Sequence, residues 1–149
     1  MVHELLDSYN CQILEHLQHE GRVSYNELAR RVGLSTPTII ERIRKLEDAG
    51  IIQGFTVRLD LEKLGYNAMA LIEVKTNPTS YTKVLEFAVG QKEIRECYFV
   101  TGDSSFVARV IMQDISELQS WIQRFGMFGA TRTSVVLSKP IIKEMFTLR

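Results

Sequence analysis

Cysteine, proline, tryptophan and histidine are scarce in this chain of 149 residues, with 2, 3, 1 and 3 copies respectively. Cys11 and Cys97 stand far apart inside apolar-patterned segments, which excludes a disulfide framework and any metal-ligand spacing. The three histidines are His3, His16 and His19, so the second half lacks the commonest general base. His16 and His19 lie three apart without a third ligand and read as a solvated helix face. No nucleophile–base set and no phosphate loop is present, so the chain is not expected to be an enzyme and no cofactor is implied. There is no run of about 18 apolar residues, so no membrane span is expected. The opening MVHELLDSYN carries two acids and fits neither a secretory signal nor an Arg-rich transit peptide. A reducing cytoplasm is the simplest compartment.

Net charge of one sign is also missing. With 18 basic and 18 acidic side chains the formal charge is zero, which excludes a globally basic nucleic-acid binder. Any contact with DNA must come from a local patch, and residues 30–45 hold one. Arg30, Arg31, Arg42, Arg44 and Lys45 face only Glu41 there, while the rest of the first 60 residues is acidic.

That patch falls in a helical pattern. Ile13, Leu14 and Leu17 have helical spacing, with Asp7 as N-cap and Gly21 as stop. Ser24 and Glu27 form a capping-box signature that opens a short helix ending at Gly33. Ser35 caps a third helix, about 36–49, with Ile39, Ile43 and Leu46 on one face. Pro37 is harmless in its first turn, where N–H groups lack helical partners. Helix, short helix, tight turn and helix in about 45 residues is the helix-turn-helix layout. Residues 51–59 then read as extended and 60–65 as a linker.

The second half changes period. Strands are predicted over 68–74, 94–101, 106–112 and 131–137, with helices over 81–89 and from Ile115 to Phe125. Trp121 and Phe125 are core or interface residues. Tyr98 and Phe99 resemble the stacking aromatics of RNA-binding sheets, but the glycine-rich pattern of those sheets is absent. The order βαββαβ is ferredoxin-like, so the fold class is α+β. Helices on one face of the sheet leave the other apolar, and dimerisation is the economical way to bury it. The expected division is 1–52 for the helix-turn-helix domain, 53–65 for an extended linker and 66–149 for the ferredoxin-like domain. The segment 139–149 reads equally as a last strand or an assembly arm.

Several strings occur together at fixed spacing: Leu6-Asp7 with Ile13-Leu14, Gly21-Arg-Val-Ser24, Glu27-Leu-Ala-Arg-Arg-Val-Gly-Leu-Ser35, Glu41-Arg-Ile-Arg-Lys-Leu-Glu47 and Gly50-Ile-Ile-Gln-Gly-Phe55. Glu96-Cys-Tyr, Thr101-Gly-Asp103 and Thr131-Arg-Thr133 follow in the second half. With these strings the chain resembles the Lrp/AsnC family of feast/famine regulators nearly end to end. The resemblance implies a winged-helix-like DNA reader and a ligand-sensing domain. It also implies homodimers that assemble to tetramers or octamers, with amino-acid effectors bound between subunits near the Gly-Asp turn. Two departures stand out. Asn10 replaces a second Asp in the first helix. Gly102-Asp103-Ser104-Ser105 replaces a Gly-Asp-aromatic-Asp turn, leaving one carboxylate where the family has two.

The candidate DNA-binding residues are Ser35, Thr36, Thr38, Glu41, Arg42, Arg44 and Lys45. Thr38 and Glu41 suit base edges, whereas Arg42, Arg44 and Lys45 suit phosphates. A solvated face with a Glu41–Lys45 pair at i,i+4 is the alternative for the same side chains. The candidate effector residues are Thr101, Gly102, Asp103, Ser104, Ser105, Thr131 and Thr133, and a plain hairpin turn is the alternative there. The expectation is a sequence-specific transcriptional regulator that binds double-stranded DNA in the cytoplasm with the nucleoid and senses an amino-acid-like effector. An architectural DNA-compacting protein and a ferredoxin-like small-molecule module or enzyme are the competing readings.

Overall fold

The first helices are set by their caps. In the computed structural model, which describes residues 5–143 and 145–146, Asp7 accepts the Asn10 N–H at 2.7 Å and opens α1, Ser8–His19. Ser24 accepts the Glu27 N–H at 3.2 Å and opens α2, Tyr25–Val32. Gly33, at φ 77°, ends α2 in the left-handed region that favours glycine. Ser35 then accepts the Thr38 N–H at 3.3 Å to start α3, Thr36–Asp48. Ile13, Leu28, Ile39 and Leu46 are fully buried between these helices, with Leu14, Val32 and Ile43 beside them. Leu34, Ile51 and Ile52 pack around that core.

One capping detail departs from expectation. The Glu27 carboxylate is held by Arg30, at 2.7 and 2.9 Å, and by Arg31, at 2.8 Å, in place of the reciprocal bond to Ser24. A guanidinium outbids a neutral N–H for a carboxylate. Arg30 and then Arg31 pull the Glu27 carboxyl from its ordinary 4.5 down to about 2. Because the folded value is the lower one, this contribution to stability is complete above the unfolded 4.5 and fades as pH falls through about 2. An NMR titration is expected to place the Glu27 midpoint near 2; a midpoint at 4.5 means that the arginines let go in solution. A reciprocal capping box does occur at Asp114 and Glu117, where the chain enters its last helix.

The described chain divides into two compact units, Met1–Arg58 with Ile141–Arg149 and Leu59–Pro140. The late segment therefore groups with the helical unit, where Gln18 binds the Phe146 backbone from both sides, accepting its N–H at 2.7 Å and donating to its carbonyl at 3.0 Å. Between the third helix and the sheet, residues 53–60 lie outside helix and strand and are exposed, Phe55, Val57 and Leu59 included.

The second unit follows the βαββαβ order: β1 Ala68–Lys75, α4 Tyr81–Val89, β2 Ile94–Phe99, β3 Phe106–Met112, α5 Leu118–Gly126 and β4 Ala130–Val135. Single 3₁₀ turns, Pro78–Ser80 and Ile115–Glu117, lead into α4 and α5. The sheet order is β2-β3-β1-β4 with every neighbouring pair antiparallel. Strand alternation sends Ala70, Ile72 and Val74 of β1 and Ala108, Val110 and Met112 of β3 to the helix side, under Trp121 and Phe125. Phe87 meets Phe125 edge to face at 5.3 Å. Arg124 lies 4.1 Å from the Trp121 ring centroid, joining apolar packing to a cation–π contact.

The opposite sheet face corrects an expectation. Met69 and Ile111 are buried and Leu71 is exposed along its centre, but ion pairs flank them. Arg109 binds Glu96 with Nε 2.7 Å from Oε2, and Arg132 binds Glu73 at 2.7 Å. Apolar residues on two neighbouring strands gave the centre of this face; its charged flanks arise only when distant strands pair. Among the described residues, no helix is long and apolar enough to cross a membrane.

Candidate nucleic-acid interface and ligand turn

The third helix presents a mixed surface. Arg44 and Lys45 are exposed, as are Ser35, Pro37 and Glu41, while Thr36 and Thr38 are half-buried. Lys45 Nζ sits 2.7 Å from Glu41 Oε1, and this contact holds the Glu41 carboxyl below its ordinary range. Arg44 is 3.9 Å from Asp48. Exposed pairs of this kind are weak and are readily exchanged for a phosphate, so they leave the cations available to a polyanion. The Ser35 and Thr38 hydroxyls lie 2.7 Å apart, and the Thr36 hydroxyl donates to Asn26 Oδ1 at 2.9 Å. That second bond sets the start of α3 beside the start of α2.

Arg42, on the same helix, makes contacts that Arg44 and Lys45 do not. Its Nη1 donates to Asp7 Oδ2 at 2.7 Å and to Asn10 Oδ1 at 3.0 Å, and its guanidinium is 5.4 Å from the Tyr9 ring centroid. Asn10 is buried, and its amide also donates to the Leu5 carbonyl at 2.7 Å. A carboxylate at this position would have no N–H for that carbonyl. The Asn10 N–H, followed in strength by Arg42, holds Asp7 below its ordinary value. Arg42 thus ties α3 to α1, whereas Arg44 and Lys45 are exposed and paired only within their own helix.

At the sheet unit, Gly102 has φ 113° and lets the 100–105 turn reverse, leaving Thr101, Gly102 and Asp103 exposed. Ser105 fastens the turn: its N–H donates to the Val74 carbonyl at 2.8 Å and its hydroxyl to the Thr76 carbonyl at 3.1 Å. Ser104 donates to Glu73 Oε2 at 2.7 Å, and Glu73 also accepts from Arg132. Arg132, and next Ser104, lower the Glu73 carboxyl. Asp103 adds a smaller field at Arg132, whose main partner is Glu73. Two acids, a hydroxyl and a guanidinium therefore gather at one end of the sheet. Thr131 and Thr133 do not join them. They pair across from Val74 and Ile72 and are half-buried on the helix side, whereas Arg132 between them is exposed on the Glu73 side.

Comparison with known proteins decides the family. Residues 6–53 match winged helix-turn-helix DNA-binding domains, and residues 69–145 match the Lrp/AsnC ligand binding domain. The chain belongs to the Lrp/AsnC family of transcriptional regulators. Among its Lrp/AsnC relatives, the uncharacterized HTH-type transcriptional regulator YezC of Bacillus subtilis is 37% identical, over 89% of this chain and 94% of its own. The structure of Escherichia coli AsnC matches with a TM-score of 0.86 at 30% identity, covering 94% of this chain and 97% of that one. A feast or famine regulatory protein of Mycobacterium tuberculosis, solved complexed with L-methionine, matches with a TM-score of 0.84 at 27% identity, covering 96% and 99%.

For an Lrp/AsnC chain, two features of these surfaces escaped the sequence strings. Glu73 supplies a second carboxylate beside the Gly-Asp turn, and its signal was a lone acid in an otherwise apolar strand. Ile40 is 46% exposed on α3, although its neighbours Ile39 and Ile43 are buried.

Proposed function

We propose that this Lrp/AsnC regulator reads DNA through the exposed face of α3 and answers to a free amino acid at the Asp103–Glu73–Arg132 cluster. The observation that carries the first part is the pair of exposed cations, Arg44 and Lys45, on a helix whose opposite side is locked into a core by Ile39, Ile43 and Leu46. Such a helix can enter a major groove without unfolding anything. Thr38 and Glu41 face base edges in this reading, and the N–H groups that follow Ser35 offer a phosphate contact. Arg42 acts from behind, as the tie that holds the helix.

The effector reading rests on charge. A zwitterionic amino acid needs acceptors for its ammonium and donors for its carboxylate. Glu73 and Asp103 supply the first, Arg132 and Ser104 the second. Thr101 and Gly102 offer backbone at the rim, while Ser105 holds the turn in place. Thr131 and Thr133 support Arg132 from the core side. The L-methionine complex of the M. tuberculosis relative favours this ligand class. Glu73→Gln is expected to weaken amino-acid binding by about tenfold, since a charge-assisted bond becomes neutral. Calorimetry with the twenty amino acids checks this, and unchanged affinity for a ligand that binds sinks the role of Glu73.

The functional division takes 1–52 as the reader, 53–65 as the linker and the sheet domain from 66 onward as sensor and assembly unit. A homodimer, further assembled to a tetramer or octamer, suits the exposed Phe55, Val57, Leu59 and Leu71. Regulation by DNA binding sets the protein in the cytoplasm with the nucleoid, and no catalytic role is proposed for it. The test is a titration against the DNA upstream of its own gene, with random DNA of equal length as competitor at one salt near ~0.15 M. Binding about 10³-fold tighter than to the competitor is expected. Equal binding to both favours the architectural reading, and binding to neither contradicts DNA reading altogether.

A further inference from the structure

We infer that Ile40 is a specificity-determining residue which reads the C5-methyl groups of thymines in the major groove. The inference rests on the DNA-reading function proposed above for α3. Ile40 is not needed by the core, where Ile39, Ile43 and Leu46 are buried at 0–2% exposure. It keeps 46% of its surface in water. Local propensity does not account for it either, because a β-branched side chain is a poor filler for an exposed helix position. Around it the same helix uses charged groups, Glu41, Arg44 and Lys45, as a solvated face should. An apolar side chain within that charged surface suits an apolar partner.

Its placement narrows that partner. Ile40 lies one turn after Thr36, whose hydroxyl is bound to Asn26 at the start of α2. It therefore shares the flank of α3 turned toward the first residues of α2, where Tyr25 is also 44% exposed. Pro37, three residues before it, adds a second exposed apolar surface. The stretch from Pro37 to Arg44 rises about 10 Å along the helix, comparable with the roughly 12 Å width of the groove. Phosphate-seeking cations at the end of this stretch set the apolar pair at the depth of the base edges. Thymine offers the one apolar group on those edges, its methyl. The contact adds preference without competing with any hydrogen bond on the helix, because an isoleucine has none to exchange.

The test uses the full-length protein and a duplex that it has itself enriched from a randomised pool. Each thymine is replaced in turn by deoxyuridine, which removes one methyl and no hydrogen-bonding group. Wild type is expected to lose about fourfold in affinity at one or two positions of each half-site, the worth of one buried methyl. Ile40→Ala is expected to bind the thymine and uracil duplexes equally at those positions while keeping its melting temperature. Ile40→Gln, which keeps the length of the side chain but not its apolar character, is expected to do the same. Indifference of wild type to every replacement overturns the inference. So does equal sensitivity of wild type and both variants. Failure to enrich any duplex contradicts the DNA-reading function itself, and this inference falls with it.

Discussion

The double variant Arg44→Ala, Lys45→Ala is expected to lose affinity for every DNA sequence alike, by on the order of tenfold per cation, with its fold intact. Both side chains are exposed, and their intrahelical partners, Asp48 and Glu41, hold them only weakly. If each neutralises one phosphate, the slope of log affinity against log salt becomes shallower by about 2. Binding measured at several salt concentrations checks this. An unchanged slope means that neither cation touches the DNA backbone. Arg42→Ala supplies the contrast, because it removes the tie to Asp7 and Asn10 and leaves the buried Asn10 oxygen short of a partner. Its expected signature is a lower melting temperature, from a loss of about 1–3 kcal/mol. That pair of outcomes would separate the cations of one helix into one that holds the fold and two that hold DNA.

Gly129→Ala is expected to cost about 3 kcal/mol or more, a large share of the stability of a chain this size. Gly129 follows α5 and precedes β4, and it passes the end of β1 so closely that a Cβ would stand 2.0 Å from the Lys75 carbonyl oxygen. Its φ of 159° adds to the strain on any L side chain. Neither neighbour can yield cheaply, since Lys75 is paired with Ala130 in the sheet and the Thr76 hydroxyl donates to the Phe128 carbonyl. Gly126→Ala is the control. A Cβ there meets nothing within 4 Å, so the substitution is expected to be neutral or slightly stabilising. Thermal unfolding of the two variants side by side checks the pair; equal melting temperatures contradict the close approach at Gly129.

Much of this architecture was legible because its signals are local. Asp7, Ser24 and Ser35 announce the three helices a few residues from the bonds they make, and Gly33 closes α2 at the residue that must turn left-handed. The four strands and two helices of the second unit follow from a change of period. What escaped depends on pairing across distance. Thr131 and Thr133 share one face of β4 and Arg132 the other, because a strand alternates, and the partner that marks the Arg132 side is Glu73, 59 positions away. In sequence Arg42 resembles its neighbours Arg44 and Lys45, and only the fold brings it to Asp7, 35 positions earlier. Ile40 lies outside the face that the spacing of Ile39, Ile43 and Leu46 marks, and spacing alone does not show whether such a flank residue is covered.

The exchange of the second acid in the turn for Ser105 is also clearer with the sheet in place. Ser105 works as a fastener on Thr76 and Val74, and Ser104 beside it donates to Glu73. In this chain the carboxylates at that end of the sheet are Asp103 in the turn and Glu73 in the adjoining strand.

The most direct test of the central claim is a dimethyl sulfate footprint on the duplex that the protein selects. This reagent methylates guanine N7 in the major groove and adenine N3 in the minor groove. A recognition helix seated in the major groove protects guanine N7 in two segments about 10 base pairs apart, one for each half of a dimer, and leaves adenine N3 reactive between them. Protection confined to adenine N3, with every guanine N7 still reactive, would contradict reading through α3.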